Sequence, residues 1–438
     1  MTTSRPPAAD AASPADPAHT ADPADPVDPI ELRPVAPDDI RGFLEPVLLA
    51  FRDEFNESEY QADRPLWEPD RLVSAWDGAV RVGGAGAYSF RMRVPGGQIP
   101  VSGITAVGVR PDHTRRGVLR RMMRWLFDDA MARHEPAAIL WASEATIYQR
   151  FGFGQATQFT QFEAERHRVV FLDPISPSTD ARIRMLPSVD EAMDILPALY
   201  VEATKDVPGS IERSDIRWRN LILADEEWAR RGKGPQFRAV LEIDGVPRGY
   251  AIHRAGGEWS PRGPMGQTNV MEVVALDVES ERRLWTWLIE QDLTTKVAVV
   301  RGPVPHPLLL MVEEPRRLGA TVTDALWLRL LDVPAALTAR TYTQAGRINF
   351  ELTDPMIDSN AGRWQLTVRA DGSASCERTT ADADLALDVA ALACAYLGAH
   401  RFTDLLAAGR LRERRPGAAL EASILFLPPR APYTNTFF

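Results

Sequence analysis

The sequence predicts a mixed α+β protein with two or three folded domains. At 438 residues the chain is longer than a single hydrophobic core normally organises. A strand followed by an amphipathic helix occurs twice, at residues 104–131 and 271–293. From about residue 333 the pattern changes to short strands joined by Pro- and Gly-bearing turns, followed by alanine- and leucine-rich helices.

Composition bounds the class of protein. Hydrophobic residues make up 45% of the chain and charged residues 25%, and no apolar run is long enough to cross a bilayer. The N-terminus lacks a secretory signal, and two cysteines, Cys376 and Cys394, cannot form a disulfide framework. We therefore expect a soluble, cytoplasmic protein with no membrane partner. A formal charge of −10 argues against nucleic-acid binding and is compatible with cationic small molecules as ligands.

The first 165 residues predict a tail and then one domain. Residues 1–29 consist largely of Ala, Asp and Pro and predict a disordered tail. Near Ile30 a short strand leads into a helix at residues 40–51, and strands at 80–93 and 99–109 flank a PGG turn as antiparallel neighbours. The acidic residues after the helix either meet a cationic amine or form a solvated helix end, which we prefer for most of them: Asp53, Glu54, Glu57 and Glu59.

Residues 107–126 run from strand through an arginine-bearing turn into an amphipathic helix. Pro111 ends the strand, because proline has no backbone N–H, and apolar residues then recur at helical spacing. Gly117 is thereby placed at a helix N-terminus, where unpaired N–H groups and the helix dipole favour an anion. Three arginines add positive charge: Arg115, Arg116 and Arg120. The alternative is a solvated basic helix end.

The next elements bring in a tyrosine. Residues 137–142, AAILWA, predict a buried strand, and a short helix then carries Tyr148 into the glycine turn at 152–154. Tyr148 is either a core tyrosine or a general acid, since a phenol of pKa about 10 can protonate a departing thiolate of similar basicity.

Residues 166–332 predict a second domain and residues 333–438 a third. The second contains helices at 189–204 and 218–223 and strands at 237–243 and 249–253. Its strand at 271–276 and helix at 281–293 repeat the order of the first domain, but the connection DVESER is acidic, so we expect no phosphate site there. The seven histidines are scattered and neither cysteine lies in a CxxC pair, so no metal site is predicted.

Five features of the sequence form a recognisable set: TRRGVLR at 114–120, IYQRFGFGQAT at 147–157, LWLRLLDVPAAL at 326–337, LGAHR at 397–401 and the terminal Phe438. They resemble motifs of the GNAT N-acetyltransferases, in particular of their enhanced intracellular survival (Eis) branch. The chain departs from the usual pattern at Thr114 and Leu119 of the first motif and at Phe437, where some family members have an acidic residue.

The resemblance extends from about Ile30 to the end of the chain. It implies two GNAT-like domains in tandem, 30–165 and 166–332, of which only the first binds acetyl-CoA. Residues 333–438 then form a sterol-carrier-protein-like α/β domain that presents the chain terminus. The resemblance also implies a homo-hexamer.

The resemblance further implies the site residues. The backbone of Val107, Gly108 and Val109 pairs with the pantetheine amides, and an N–H of Val107 or Val109 polarises the thioester carbonyl. The pyrophosphate contacts Arg115, Arg116, Gly117, Val118, Leu119 and Arg120. Ser143 and Glu144 line the cofactor slot. Tyr148 acts as the acid, and the α-carboxylate of Phe438 acts as the base unless the terminus is a frayed tail.

These residues imply acetyl transfer from acetyl-CoA to amines of cationic small molecules, with aminoglycosides as the family's substrate class. Two alternatives stay open. One is an acetyltransferase of protein lysine or arylalkylamine substrates, and the other is a non-catalytic lipid- or cofactor-binding protein.

Overall fold

The computed structural model of the protein describes residues 30–175 and 180–438. The tail predicted at 1–29 lies outside the described residues. Up to residue 165 the strands and helices are β1 (Ile30–Pro34), α1 (Ile40–Phe51), α2 (Glu57–Asp63), β2 (Leu72–Asp77), β3 (Val80–Val94), β4 (Gly97–Val109), α3 (Val118–Ala132), β5 (Ala137–Trp141), α4 (Ala145–Gln149), β6 (Gly154–Gln155) and β7 (Gln158–Glu165).

Between residues 180 and 332 they are β8 (Ala181–Met185), α5 (Val189–Thr204), α6 (Asp215–Arg217), α7 (Glu227–Arg230), β9 (Gln236–Ile243), β10 (Val246–Gly256), β11 (Trp259–Ser260), β12 (Gly263–Pro264), β13 (Gly266–Ala275), α8 (Val278–Ile289), β14 (Thr294–Gly302), α9 (Leu308–Met311), β15 (Thr321–Asp324) and β16 (Leu326–Leu330). The remainder contains α10 (Val333–Thr338), β17 (Gly346–Thr353), β18 (Gly362–Val368), β19 (Ala374–Arg378), β20 (Leu385–Asp388), α11 (Val389–Tyr396), α12 (Phe402–Ala407), β21 (Leu411–Glu413) and α13 (Ala418–Leu425).

Three large sheets organise the described chain. The first has the order β1-β2-β3-β4-β5-β16-β6, the second β15-β7-β14-β13-β10-β9-β8 and the third β19-β18-β17-β20-β21. In the first sheet β4 pairs antiparallel with β3 and parallel with β5. In the second sheet β13 pairs antiparallel with β10 and parallel with β14. A helix, α3 or α8, connects each parallel pair, so the strand-helix order predicted twice from the sequence is present twice.

The first two sheets exchange strands. β7 pairs with β14 and β15 in the second sheet, whereas β16 pairs with β5 and β6 in the first. Sheet pairing therefore crosses the domain limit predicted at 165/166, and the limits themselves remain predictions. A strand's own residues indicate that it is half-buried but not which sheet it joins, so the exchange has no local sequence signal.

Helix α8 differs from its predicted bounds of 281–293. It begins at Val278, because the Asp277 side chain accepts a hydrogen bond from the Ser280 N–H at 2.8 Å and caps the helix, and it ends at Ile289. The helix predicted at 218–223 is a π-helical turn, Trp218–Ile222, that continues α6. Helix α3 buries its predicted apolar face against the first sheet, including Met122 and Phe127.

The third sheet and its helices share one apolar core with the face of the first sheet that carries Phe90, Met92 and Val101. A buried ion pair between Arg329 of β16 and Asp354, with 2.6 Å between nitrogen and oxygen, also joins the two units. After α13 the chain leaves this unit, and residues 427–438 contain no helix or strand. No helix in the described part of the chain is long and apolar enough to cross a membrane.

Candidate active site

A cleft opens where β4 and β5 separate. Their parallel pairing joins residues 101–103 to 137–139 and goes no further. Beyond it β5 continues against β16 and β4 continues against β3. Among the described residues no strand pairs with the other edge of β4 after residue 103, so its backbone groups are left for a ligand.

A β-bulge turns this edge. Ala85 of β3 faces two residues of β4, Ala106 and Val107, and Ala106 has a φ of +50°. A left-handed conformation costs a non-glycine residue about 1–2 kcal/mol, and a bulge bends the strand that carries it. Helix α1 lies against the same segment, because a Cβ added to Gly108 would be 2.8 Å from the Val47 Cα. The strand is thus fixed at the point where its backbone faces the cleft.

The cleft contains a cavity of about 540 Å³. It brings together four of the residues predicted from the sequence: Val107, Ser143, Tyr148 and Phe438. Gly108 and Val109 continue along β4 from the cavity towards the arginine-bearing turn. Glu144 is exposed at the N-cap of α4.

The turn before α3 has the features of an anion site. Gly117 is the N-cap residue with a φ of +76°, and no side chain caps the helix. The first helical hydrogen bond runs from the Arg121 N–H to the Gly117 carbonyl, which leaves the N–H groups of residues 118–120 without a partner in the helix.

The side chains of this turn point in different directions. Arg115 and Arg120 are exposed, whereas Val118 is buried in the core below. Arg116 forms an ion pair with Asp77 at 2.9 Å. Arg115 and Arg120 are therefore the side chains most available to a bound anion.

Tyr148 is buried beside the cavity, with its ring edge-on to Phe153 at a centroid distance of 5.9 Å. Burial raises the pKa of its phenol above the usual 10, and a hydrogen bond with Ser143 opposes this shift. The phenol therefore keeps its proton at neutral pH and can donate it.

The chain terminus also lines the cavity and is held there by aromatic contacts. The Phe438 ring packs on Phe90 at 4.9 Å, and the Phe437 ring packs on Trp141 at 5.3 Å. The Trp141 indole N–H donates to the Thr436 carbonyl at 3.1 Å. These contacts fix the last three residues, so the terminus is not frayed.

Two charged groups in this region have no signal in the sequence: Arg217 contacts the terminal segment, and Asp63 lies near Arg217. Arg217 is 2% exposed, lies 4.9 Å from the ring centroids of both Tyr88 and Phe90, and donates to the Phe437 carbonyl at 3.4 Å. Asp63 lies near enough for Arg217 to act on its carboxyl electrostatically. Burial, and then the charge of Glu59, raise the pKa of Asp63 to about 6 despite Arg217.

Asp63 comes from α2 and Arg217 from α6, and Arg217 lies against two aromatic rings of β3. No local motif connects these three elements. The acidic residues that the sequence did single out, Asp53 and Glu54, are exposed, and Glu57 pairs with Arg41 at 3.2 Å. They form a solvated helix end, as preferred for most of the group.

Comparison with known families shows three matches along the chain. Residues 31–156 and 209–330 match two models of the acetyltransferase (GNAT) domain, and residues 333–435 match the sterol carrier protein domain. These matches confirm the predicted α+β architecture of two GNAT domains followed by a sterol-carrier-like domain.

Proteins that match most of the chain support the same family. An uncharacterized N-acetyltransferase of Streptomyces coelicolor is 41% identical over 380 residues, 86% of this chain and 91% of the relative. N-acetyltransferase Eis of Mycobacterium tuberculosis is 33% identical over 390 residues, 86% of this chain and 92% of that protein. The crystal structure of Eis1 from Mycobacterium abscessus superimposes with a TM-score of 0.78 at 31% identity, covering 93% of this chain and all of that one. The chain therefore belongs to the Eis-like branch of the GNAT N-acetyltransferases.

Proposed function

We propose that this N-acetyltransferase moves the acetyl group of acetyl-CoA to an amine of a cationic small molecule, with aminoglycosides as the first class to test. The observation that supports it best is the cleft in which the open edge of β4, the Tyr148 phenol and the Phe438 terminus meet. Acetyl-CoA, when bound, supplies the acetyl thioester.

The residues fit this cosubstrate. The open edge of β4 offers backbone donors and acceptors to an extended chain containing amides, and the α3 turn offers unpaired N–H groups and two exposed arginines to a pyrophosphate. In this proposal the N–H of Val107 or Val109 donates to the thioester carbonyl, and the other loop residues, Arg116, Gly117, Val118 and Leu119, contribute backbone groups.

Two groups would move the protons. Tyr148 gives its phenol proton to the departing sulfur, and the α-carboxylate of Phe438 accepts the proton that the amine loses. An α-carboxylate in water has a pKa near 3.5 and is a weak base towards an ammonium, so the proposal requires a partly desolvated terminus. The aromatic rings around Phe438 supply such surroundings.

Thiol release from acetyl-CoA tests the proposal directly. We expect release that depends on the amine, and a comparison of an aminoglycoside, a lysine peptide and tryptamine identifies the class. Preference for the lysine peptide or tryptamine would replace the aminoglycoside proposal. Acetyl-CoA binding without turnover of any amine would favour the non-catalytic alternative.

The homo-hexamer implied by the family resemblance remains a proposal, and sedimentation velocity tests it.

The phosphate contacts lead to a binding prediction. Replacing Arg115 and Arg120 together (Arg115→Ala, Arg120→Ala) should raise the Kd of acetyl-CoA roughly tenfold or more, because charge-assisted hydrogen bonds to phosphate are lost. Both side chains are exposed, so the melting temperature should change little. Calorimetry measures the affinity, and Arg110→Ala, which removes an arginine paired with Asp112 outside the helix, is the matched control. Equal affinities in both variants would place the phosphate site elsewhere.

Asp63 leads to a pH prediction. We propose that Asp63, through its position near Arg217, attracts a cationic acceptor. Since its pKa is about 6, its carboxylate forms as the pH rises through that value, and we expect the KM for a polycationic acceptor to fall over the same range. In Asp63→Asn this part of the pH profile should disappear, while a monoamine such as tryptamine is affected less.

The substitution Asp63→Asn should weaken acceptor binding but raise the melting temperature. A carboxyl whose pKa is raised by folding is harder to ionise in the folded chain, so above pH 6 Asp63→Asn should melt at a higher temperature than the parent. Below about pH 3.8 the carboxyl is protonated in both states and the difference should vanish. Glu57→Gln, an exposed carboxylate on the same helix, is the control, and an unchanged pH profile in Asp63→Asn would exclude Asp63 from the acceptor site.

A further inference from the structure

The second sheet contains a cleft of the same construction as the first. β13 and β14 pair in parallel from residues 266–270 to 294–299, and the pairing then ends. At that point β13 has a β-bulge against its antiparallel partner β10. Val270 faces His253 and Glu272 faces Ile252, so Met271 between them has no partner residue on β10. In both GNAT domains a bulged strand thus parts from its parallel neighbour.

In the second domain the C-terminal segment of the chain occupies this cleft. The Asn435 side-chain amide donates to the carbonyl of the bulged Met271 at 2.9 Å. Arg301 of β14 donates to the Asn435 side-chain oxygen at 3.2 Å, and its own carbonyl accepts the Tyr433 hydroxyl at 2.8 Å. The segment therefore bridges the two separated strands and satisfies backbone groups that the open cleft leaves unpaired.

A buried polar cluster fixes the next residue. Thr436 is completely buried, and its hydroxyl accepts a hydrogen bond from Arg213 at 2.9 Å. Arg213 holds Glu272 of β13 with a shortest separation of 2.6 Å, and Tyr250 donates to the same carboxylate at 2.8 Å. Because buried polar groups are costly to leave unpaired, this cluster specifies both the position and the direction of the segment.

The rest of the cleft is a cavity of about 370 Å³, lined by residues of both strands and by Tyr433 and Asn435. The turn at the start of α8 is unfavourable for a phosphate, since the Asp277 carboxylate already accepts the Ser280 N–H there. The second cleft thus has the same strand geometry as the first, but it is occupied by the C-terminal segment of this chain.

We propose that the cleft of the second GNAT domain is a peptide-binding site, whose occupant is this chain's own segment 433–438. By holding Asn435 and Thr436 it places the Phe438 carboxylate in the active site of the first domain. The role given to that carboxylate rests on the proposed function, whereas the binding site itself does not. A base must be held within hydrogen-bond reach of the amine, which a free tail would not achieve.

The test adds the segment back as a separate molecule. A chain shortened by residues 433–438 is mixed with the synthetic peptide YTNTFF, binding is measured by calorimetry and turnover by thiol release. We expect saturable binding and restored turnover. The matched peptide YTATFF lacks the amide that contacts Met271 and Arg301 and should bind at least about tenfold more weakly.

A C-terminally amidated YTNTFF separates the two proposals. It should bind but not restore turnover. If it restores turnover as well as the free acid does, the carboxylate is not the base, and the peptide site still stands. If the shortened chain melts like the parent yet binds none of the peptides, the peptide site is wrong.

A full-length variant keeps the test decisive if the shortened chain does not fold. Asn435→Ala should lower kcat at least about tenfold while the acetyl-CoA Kd stays the same, because only the placement of the terminus changes. Pro429→Ala, an exposed change earlier in the same segment, is the control. An unchanged kcat in Asn435→Ala would overturn the inference.

Discussion

Adding residues after Phe438, or deleting Phe438, is expected to abolish acetyl transfer while acetyl-CoA affinity and the melting temperature stay nearly unchanged. An added residue converts the terminal carboxylate into a peptide carbonyl, which cannot accept the proton of the amine. Loss of a positioned base typically costs about 100- to 10,000-fold in rate. The melting temperature should hold, since the contacts of Thr436 and Asn435 with the second domain remain.

The measurement compares kcat, acetyl-CoA affinity and melting temperature for the parent and for chains with a short C-terminal extension. The same extension placed before Met1 is the matched control. Full activity of the C-terminally extended chain would contradict the proposal and would require an internal base, such as a water held by Glu144.

Tyr148→Phe is expected to have the next largest effect. The ring and its contact with Phe153 are retained, so acetyl-CoA should bind normally, but the sulfur loses its proton donor. We expect kcat to fall by about 100- to 10,000-fold with little change in acetyl-CoA affinity. Because burial raises the phenol pKa above 10, the parent should show no loss of this donor at neutral pH.

Steady-state kinetics and calorimetry on the same preparations check this prediction. Tyr342→Phe removes another buried phenol, which donates to the Leu337 carbonyl in the C-terminal unit, and should leave kcat unchanged. A near-normal kcat for Tyr148→Phe would make Tyr148 a packing residue.

Local patterns in the sequence were sufficient for the elements around the α3 turn. The apolar spacing of α3, the Pro111 break and Gly117 at the helix start are properties of adjacent residues, and the structure has each of them. The family resemblance added the division into two GNAT domains and a sterol-carrier-like domain, which the comparisons confirm. Periodicity and motifs are short-range signals, so they determine elements and domain types well.

Only the tertiary structure decided which elements meet. Three features join distant parts of the chain: the exchange of β7 and β16 between sheets, the contact of Arg217 with the terminal segment and with Asp63 nearby, and the docking of Asn435 on Met271. The residues of a half-buried strand indicate which face is buried but not which strand it pairs with. The residues adjacent to an arginine in the sequence do not indicate whether its side chain is buried. The sequence by itself therefore determined the elements, the domain types and the resemblance that implied the active-site residues. Packing across separate domains decided the surroundings of the site and the course of the terminal segment that reaches it.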